Sequence, residues 1–302
     1  MNEELAAGLS IYDRLRRSDA ELSELLASGA ARRELTAVFG AREYAVLAAL
    51  ARKAQRIQHH HAEPVYILPG IMGTQLVAPR AAPSPANLLW LDPQDVIDGG
   101  LERLRLPDDD ALQPLGGIPY SYLPLQLRLR AAGYSVVMHD YDWRTNLRDL
   151  ARGLSIRLCA DPAPSVSIVA HSMGGLIARG ALRLPGFERV RRLITLGVPH
   201  TGSFGAVQAI RGTYPVVRRL AALDRHHDAE WLATRVFGTF PSIYQLLPDR
   251  TLSSAADLFE VGHWPRSGPQ PDPQLLQDAR EFVGTLAACD ARCIAISGTH
   301  QR

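Results

Sequence analysis

The chain has 302 residues, 46% of them hydrophobic and 21% charged, with a formal net charge of +2. This composition excludes a disordered chain and is typical of a globular protein with enough apolar side chains for a full core. Because acidic and basic residues nearly balance, the charge gives no reason to expect a nucleic-acid partner.

Other features of the sequence limit its environment and its cofactors. No uninterrupted apolar run approaches the length of a membrane-spanning helix, and the acidic start Met1–Glu4 is unlike a signal peptide. The three cysteines, Cys159, Cys289 and Cys293, are an odd number and lack the paired spacing of a zinc site. We therefore expect free thiols in a reducing cytoplasm, with no metal and no cofactor.

The first sixty residues carry helical patterns and little else. Ser18 and Glu21 have the spacing of a capping box, in which a hydroxyl and a carboxylate satisfy the free N–H groups at a helix start. The last of these helices is predicted to run from about residue 41 to residue 58. Three consecutive histidines follow at 59–61, and a polar hinge is a better interpretation than a metal site because no further ligands are nearby.

The pattern changes at about residue 63, where short apolar, β-branched runs begin. Five of them are predicted to be fully buried strands: Val65–Leu68, Ser135–His139, Val166–Ala170, Leu193–Gly197 and Cys293–Ser297. Three helices are predicted between them: Tyr122–Ala132, Leu147–Leu158 and Met173–Leu184. Strands that alternate with helices are typical of an α/β fold, with a mostly parallel sheet and helices on both faces. We predict a helical N-terminal extension over 1–62 and an α/β domain over 63–302.

Two connections are too long for simple crossovers between parallel strands. Residues 77–119 are rich in proline, glycine and acids, and for Asp108–Asp110 a solvated loop is a better interpretation than a cation site. Residues 204–288 carry helices of their own and are predicted to form a cap or lid insertion. Bulky side chains in both connections either flank the mouth of a site or pack onto the sheet: Leu88, Leu89, Trp90, Trp231, Phe237, Phe240, Tyr244 and Trp264.

The strongest functional signal is the segment 166–178. A buried strand runs into Ser172 and then directly into a helix, which is the pattern of the nucleophile elbow of serine hydrolases. Small residues must lie two positions before and after the serine because strand and helix approach closely, and here they are Ala170 and Gly174. The first helical N–H, that of Met173, would face a developing oxyanion. The alternative is a serine that caps an ordinary helix.

A second signal lies in the segment 65–76, where a predicted strand ends in Pro69–Gly70. The turn would leave successive backbone N–H groups free to bind an anion. Gly70 and Gly73 do not form a dinucleotide-binding fingerprint, and no phosphate-binding Gly-Lys-Ser/Thr follows them. Upstream of a nucleophile elbow, such a turn is where a serine hydrolase keeps the other half of its oxyanion hole.

Two further segments carry polar residues after predicted strands. Asp142 and Arg144 could form a buried ion pair beside Trp143, and a structural role is the better interpretation. His200 directly follows the strand after the elbow and lies in a proline-glycine turn. A triad histidine on this fold comes later in the chain, so we interpret His200 as structural too.

Four segments occur in an order that resembles a known family: Leu68–Gly73, Tyr141–Arg144, Ala170–Gly174 and Pro241–Pro248. Over about residues 64–298 the chain resembles the lecithin:cholesterol acyltransferase family of α/β-hydrolases, which includes lysosomal phospholipase A2 and bacterial lipase-like relatives. The elbow alone is shared by many lipases, including the GPI inositol-deacylase type. The resemblance implies a serine acyl-enzyme mechanism on lipid esters. It implies Ser172 as nucleophile, the N–H groups of Ile71 and Met173 as the oxyanion hole, and Gly70 and Gly174 as supporting glycines.

The end of the chain departs from that family. There, the acid and the histidine of the triad follow the strand that here reads Cys293–Ser297. This chain stops five residues later, at Arg302, with no acid after the strand and with His300 too close to it. We therefore expect a fragment that lacks its final strand, and a poor catalyst in the form 1–302.

Three functions remain open from the sequence. The leading one is a serine hydrolase or O-acyltransferase whose partner is a lipid or another acyl ester, with peripheral membrane contact. The second is an esterase or thioesterase for small substrates, because the elbow specifies acyl transfer and not the acyl chain. The third is a non-catalytic protein with a hydrolase fold, in which the N-terminal helices bind a partner.

Overall fold

A computed structural model describes residues 17–57, 61–78, 87–107, 111–252 and 256–298. Four features from the sequence fall outside these ranges: the acidic start Met1–Glu4, the histidines at 59 and 60, the acidic run 108–110, and His300. Within the described ranges, no helix is both long enough and apolar enough to cross a membrane.

The described strands form two sheets. In chain order the strands are β1 (His61–Leu68), β2 (Thr74–Ala78), β3 (Asn87–Trp90), β4 (Gln113–Gly117), β5 (Tyr134–Met138), β6 (Val166–His171), β7 (Val190–Leu196) and β8 (Cys293–Ile296). The larger sheet has the order β5-β1-β6-β7-β8, and all of its neighbouring pairs are parallel. This is the predicted mostly parallel sheet of an α/β-hydrolase fold.

All five predicted strands are present, but only the runs in β1 and β6 are fully buried as predicted. Strand β5 is half-buried along its whole length, and Ile194 and Leu196 in β7 are half-buried as well. Val166, Ile168 and Ala170 in β6 are completely buried because strands flank β6 on both sides. The prediction that β8 is fully buried was wrong, since Ile294 and Ile296 are 42% and 54% exposed. The reason is position: β5 and β8 lie at the two edges of the sheet, and each pairs with one strand only.

The smaller sheet lies in the connection that the sequence presented as a long loop. It is antiparallel with the order β3-β2-β4, and it directly follows the glycine turn after β1. Its strands have only four or five residues, and β4 has the sequence Gln-Pro-Leu-Gly-Gly. Glycine and proline are depleted in strands, so local propensity concealed this sheet.

Twelve α-helices are described around these sheets. They are α1 (Asp19–Ser28), α2 (Arg32–Phe39), α3 (Ala41–Arg56), α4 (Pro93–Ile97), α5 (Pro119–Ala131), α6 (Leu147–Ala160), α7 (Met173–Ala181), α8 (Phe204–Ile210), α9 (Pro215–Leu223), α10 (Ala229–Arg235), α11 (Pro241–Tyr244) and α12 (Pro273–Thr285). Helices α5, α6 and α7 separate consecutive parallel strands, as the predicted α/β alternation requires.

The N-terminal helices α1 to α3 have an apolar core of their own. The predicted capping box is present at the start of α1, where Ser18 and Glu21 bond to each other's backbone N–H. Buried side chains of the three helices, among them Leu26 and Leu47, pack against Leu123 and Leu127 of α5. The α/β domain therefore contributes α5 to this second cluster.

Most of the bulky side chains in the two long connections are packing residues. Seven of the eight side chains are at most 5% exposed: Leu88, Leu89, Trp90, Phe237, Phe240, Tyr244 and Trp264. Of all eight, only Trp90 lines the cavity at Ser172 described below. Ordinary packing, one of the two alternatives that the sequence left open, therefore describes the group better than a lipid-facing lid does.

Candidate active site

Ser172 occupies a sharp turn between β6 and α7. Its backbone has φ 50° and ψ −123°, an unusual conformation for a residue other than glycine. The turn is held by a hydrogen bond from the Ser172 N–H to the Leu196 carbonyl at 2.9 Å, and Met173 begins the helix. The Ser172 side chain makes no capping hydrogen bond to the helix. The alternative of an ordinary capping serine therefore does not describe this turn.

Gly174 lets the helix start lie directly against the end of β1. A Cβ atom at this position would lie 2.5 Å from the Pro69 carbonyl oxygen and 2.8 Å from that of Leu68. Both distances are far below van der Waals contact, so even alanine would force the backbones apart. The close approach is therefore to the neighbouring strand β1, whereas the sequence pattern predicted it for the strand that leads into Ser172.

The turn after β1, residues Pro69 to Gly73, faces Ser172 and is called the oxyanion loop below. The Gly73 N–H donates to the Gly70 carbonyl at 3.0 Å and closes a β-turn. Met72 occupies the third position of this turn with φ 60°, a conformation that favours glycine. A Cβ atom on Gly70 would lie 2.9 Å from Ser172 Cβ and 3.4 Å from Ser172 Oγ. Glycine at 70 is what allows the loop to lie against the serine.

The expected oxyanion donors lie on either side of Ser172. Met173 is the first residue of α7, so its N–H has no partner within the helix and the positive end of the helix dipole adds to it. Ile71, next to Gly70 in the loop, lines the same cavity as Ser172. The structure thus brings together all five residues expected at the site: Ser172, Ile71, Met173, Gly70 and Gly174.

The hydroxyl of Ser172 is reached through a largely apolar cavity of about 480 Å³. One part of its wall comes from the oxyanion loop and β3, and another from the insertion that begins at α8. The lining residues are Ile71, Met72, Trp90, Ser172, Gly197, Pro199, Ser203, Gly205, Ala206, Ala209, Tyr214, Val216, Ile243 and Leu246. A cavity of this size and character suits a small apolar ligand or one chain of a larger ligand.

Three aromatic residues that the sequence did not single out for a role hold the oxyanion loop. The Tyr122 hydroxyl accepts from the Gly70 N–H at 2.8 Å and lies 2.9 Å from Nδ1 of His171. The Tyr141 hydroxyl donates to the Pro69 carbonyl. Burial raises the pKa of both tyrosines and lowers that of His171. All three side chains are therefore neutral near pH 7.

The predicted ion pair next to Tyr141 is present and supports the same region. Asp142 and Arg144 bond through two pairs of atoms, Oδ1 to Nε at 2.9 Å and Oδ2 to Nη2 at 2.7 Å. Trp143 between them donates its indole N–H to the Thr74 carbonyl, at the end of the oxyanion loop, at 3.0 Å. The Asp142–Arg144 ion pair therefore has the structural role that the sequence favoured.

Other histidines have partners of their own. The His200 carbonyl accepts from Arg179 Nη1 at 2.9 Å, which agrees with the structural interpretation of this residue. Nδ1 of His263 lies 2.9 Å from the Asp257 carbonyl. His139 follows β5, and burial lowers its pKa to about 4. Within the described part of the chain, none of these three forms a hydrogen bond with Ser172.

Comparison with known proteins gives one partial family match and distant structural similarities. A family model described as a PGAP1-like alpha/beta domain matches residues 155–229, which include the Ser172 turn. A chain in the crystal structure of the Tle4–Tli4 complex is 16% identical, with 77% of this chain and 74% of that chain covered and a TM-score of 0.42. Bacillus licheniformis lipase BlEst2 in its mature form is 19% identical, with 64% and 57% covered and a TM-score of 0.36. No curated protein sequence matches the chain.

The family match agrees with the sequence motifs at the level of the α/β-hydrolase superfamily. The PGAP1-like match covers a quarter of the chain and includes the elbow. The elbow is the segment that the chain was expected to share with many lipases, including the GPI inositol-deacylase type. The finer resemblance to lecithin:cholesterol acyltransferases stays a prediction.

Proposed function

We propose that this protein is a serine acyl hydrolase or O-acyltransferase that acts on lipid esters, with Ser172 as its nucleophile. One observation carries the proposal. Ser172 lies at φ 50° between a strand and a helix start, with no capping bond, and it opens into an apolar cavity of about 480 Å³. An α/β-hydrolase fold with this arrangement suits ester hydrolysis.

In the first step Ser172 Oγ attacks the ester carbonyl carbon. The new O–C bond forms as the carbonyl π electrons move to oxygen, and the hydroxyl proton passes to a general base, which the family resemblance assigns to a histidine after the strand Cys293–Ser297. The negative oxygen accepts hydrogen bonds from the N–H groups of Ile71 and Met173. The alcohol then leaves with a proton, and the acyl group stays on Ser172 as an ester.

In the second step water or an acceptor alcohol attacks the acyl-enzyme through the same tetrahedral geometry. The fatty acid, or the new ester, is released and Ser172 regains its proton. The apolar wall of the cavity would hold the acyl chain, which supports a lipid ester as substrate. Transfer to an alcohol is the lecithin:cholesterol acyltransferase type of reaction, and hydrolysis is the lipase type.

The proposal extends to the surroundings of the protein. Cys159, Cys289 and Cys293 are free thiols, which favours a reducing compartment such as the cytoplasm. Phe204 and Leu223, which belong to the insertion, are about half exposed at 50% and 53%. Such side chains are suited to brief contact with a lipid surface that delivers the substrate.

The test uses a fluorophosphonate probe and a series of p-nitrophenyl esters from butyrate to palmitate. We expect the probe to label Ser172, and Ser172→Ala to lose both labelling and ester turnover, because the residue forms the covalent bond. Ser203→Ala is the matched control, since Ser203 lines the same cavity but its hydroxyl accepts from the Gly205 N–H. It should keep labelling and most of the turnover.

Two results would contradict the proposal. Labelling or turnover that persists unchanged in Ser172→Ala would show that another residue is the nucleophile. Turnover that is lost equally in Ser203→Ala and Ser172→Ala would indicate damage to the cavity and not loss of a nucleophile.

A further inference from the structure

Both polar atoms of one peptide group in the oxyanion loop are held by buried tyrosines. The Pro69 carbonyl and the Gly70 N–H belong to the same planar peptide unit. The Tyr141 hydroxyl donates to the carbonyl, and the Tyr122 hydroxyl accepts from the N–H at 2.8 Å. Each tyrosine is 5% exposed, so water does not compete freely for either bond. This peptide plane therefore has a fixed orientation.

The peptide group that follows carries the proposed oxyanion donor. The Ile71 N–H belongs to the Gly70–Ile71 peptide, and its direction depends on the Pro69–Gly70 plane and on the backbone angles of Gly70. Glycine has the widest choice of backbone angles of any residue, so an unsupported Gly70 would let the donor turn away. The tyrosines fix the peptide plane before Gly70, and the bond from the Gly73 N–H to the Gly70 carbonyl holds the plane after it, so together they restrict Gly70 before substrate binds.

The two tyrosines are themselves fixed from opposite sides. The Tyr122 hydroxyl is bonded to His171 Nδ1 at 2.9 Å, and His171 directly precedes Ser172. Tyr122 lies on α5, whose neighbouring residues Leu123 and Leu127 are packed under the N-terminal helices. Tyr141 begins the segment in which Trp143 donates to the Thr74 carbonyl at the far end of the loop. The loop is thus connected to both the nucleophile turn and the helical extension.

We propose that Tyr122 and Tyr141 are positioning residues that hold the Pro69–Gly70 peptide so that the Ile71 N–H points at the reacting carbonyl oxygen. This inference rests on the proposed function of Ser172. The tyrosines touch neither substrate nor reacting atoms, and they act through the loop backbone. Because the oxyanion exists in the transition state and not in the bound ester, their loss should lower kcat and leave KM nearly unchanged.

Because 1–302 is expected to be a poor catalyst, the experiment uses p-nitrophenyl butyrate, an ester with a good leaving group, on which the residual rate without a complete triad is about 10³–10⁴-fold above that in water. It measures kcat and KM for the wild type, Tyr122→Phe, Tyr141→Phe and Ser172→Ala. Complete loss of one oxyanion donor costs about 10²–10³-fold in kcat, and we expect each tyrosine variant to lose at least about 10-fold with KM within about 2-fold. Tyr120→Phe is the matched control. It removes a hydroxyl from the same helix, but that hydroxyl bonds to the Val38 carbonyl, so kcat should not change.

A second measurement does not depend on turnover. In the wild type the Gly70 amide is bonded to Tyr122 and should exchange slowly with solvent deuterium. In Tyr122→Phe it should exchange at least about 10-fold faster, whereas Tyr120→Phe should match the wild type. If Tyr141→Phe fails to fold, the exchange rate of the Gly70 amide in Tyr122→Phe still tests the inference. Phenylalanine keeps the buried ring at position 122, so we expect that variant to fold.

The outcomes separate this inference from the proposed function. If Ser172→Ala keeps wild-type turnover, the proposed function fails and the positioning role fails with it. If Ser172→Ala is inactive but both tyrosine variants keep wild-type kcat, the positioning role is wrong and the function stands. Unchanged exchange at Gly70 in Tyr122→Phe, or a rise in KM without a fall in kcat, would also overturn it.

Discussion

Backbone strain is concentrated where the chemistry is proposed. Among the described residues, only Met72, Ala111 and Ser172 combine a positive φ with a side chain, and two of the three line the cavity. Such conformations cost about 1–3 kcal/mol each and persist only when their surroundings enforce them. At Met72 and Ser172 the surroundings are the hydrogen bonds of the oxyanion loop and of the strand-to-helix turn. The strain therefore supports a preorganised site.

A half-buried histidine near the site should make the protein sensitive to acid. Burial lowers the pKa of His139 to about 4 from 6.5; nearby Arg157 lowers it further, and Asp140 opposes the change. Between these two values the unfolded chain binds a proton that the folded protein does not. Stability is therefore expected to fall as the pH drops from about 6.5 to 4, and to be fully present above 6.5.

Urea unfolding at pH 7 and pH 4.5 checks this prediction. His139 should account for about 2 kcal/mol of the stability lost between the two pH values, at 1.36 kcal/mol per pKa unit. His139→Gln removes the titrating group. Between pH 7 and pH 4.5 its free energy of unfolding should therefore fall by about 2 kcal/mol less than that of the wild type, whatever its stability at pH 7. The same loss in both proteins would mean that His139 titrates normally in the folded state.

At the scale of elements, the N-terminal helices are joined to the α/β domain mainly through α5. The contact is apolar, through Leu123 and Leu127, and it includes one buried polar pair in which Gln126 Nε2 donates to Asp19 Oδ2 at 2.9 Å. Burial raises the pKa of Asp19. Because α5 also carries Tyr122, we propose that the helices α1 to α3 form a supporting layer for the helix behind the oxyanion loop.

Leu26→Ala tests how strongly this layer is attached. Leu26 is fully buried in the cluster, so its truncation should cost about 2–5 kcal/mol in the free energy of unfolding, from lost apolar burial and from the cavity left behind. Ile156→Ala on α6 is the control, since that side chain is 70% exposed and should change stability by less than about 0.5 kcal/mol. Urea unfolding measures both, and equal effects would mean that the layer is only loosely packed.

At the scale of the whole molecule, the cavity is formed by parts of the chain that lie far apart in the sequence. Met72 and Trp90 come from the region between β1 and β4, Ser172 from the elbow, and Ala206 and Ala209 from the insertion. Small residues on α8 leave the space that an acyl chain would fill. Under the proposed function, the insertion is therefore expected to limit which esters fit, and the turn after β6 to supply the nucleophile.

Ala206→Leu should shift the substrate preference toward short chains. The larger side chain enters the cavity, so we expect kcat/KM for p-nitrophenyl dodecanoate to fall at least about 10-fold relative to butyrate, within the range that steric changes in apolar pockets produce. Ala222→Leu, at an exposed position of α9 in the same insertion, is the control and should leave the ratio unchanged. An unchanged ratio in Ala206→Leu would place the acyl chain elsewhere.

Several parts of this molecule were predictable because their signals are local. Continuous apolar runs marked the parallel strands, and the capping box at Ser18 marked the start of α1. The strand-serine-helix pattern around Ser172 and the glycine turn at Gly70 located the candidate site. In each case a few consecutive residues determine the backbone conformation, so the pattern can be read without knowing what packs against it.

Other features were decided only by the tertiary structure. Tyr122 lies 52 residues from Gly70 and Tyr141 lies 72 residues from Pro69, and no local pattern indicates that these residues meet. The edge position of β8 and the packing role of Phe240 likewise depend on which elements become neighbours. The sequence by itself determined the parallel strands and the turn that carries Ser172. The folded chain alone decided what holds and surrounds that turn, because hydrogen bonds and burial between distant segments exist only once the elements have packed.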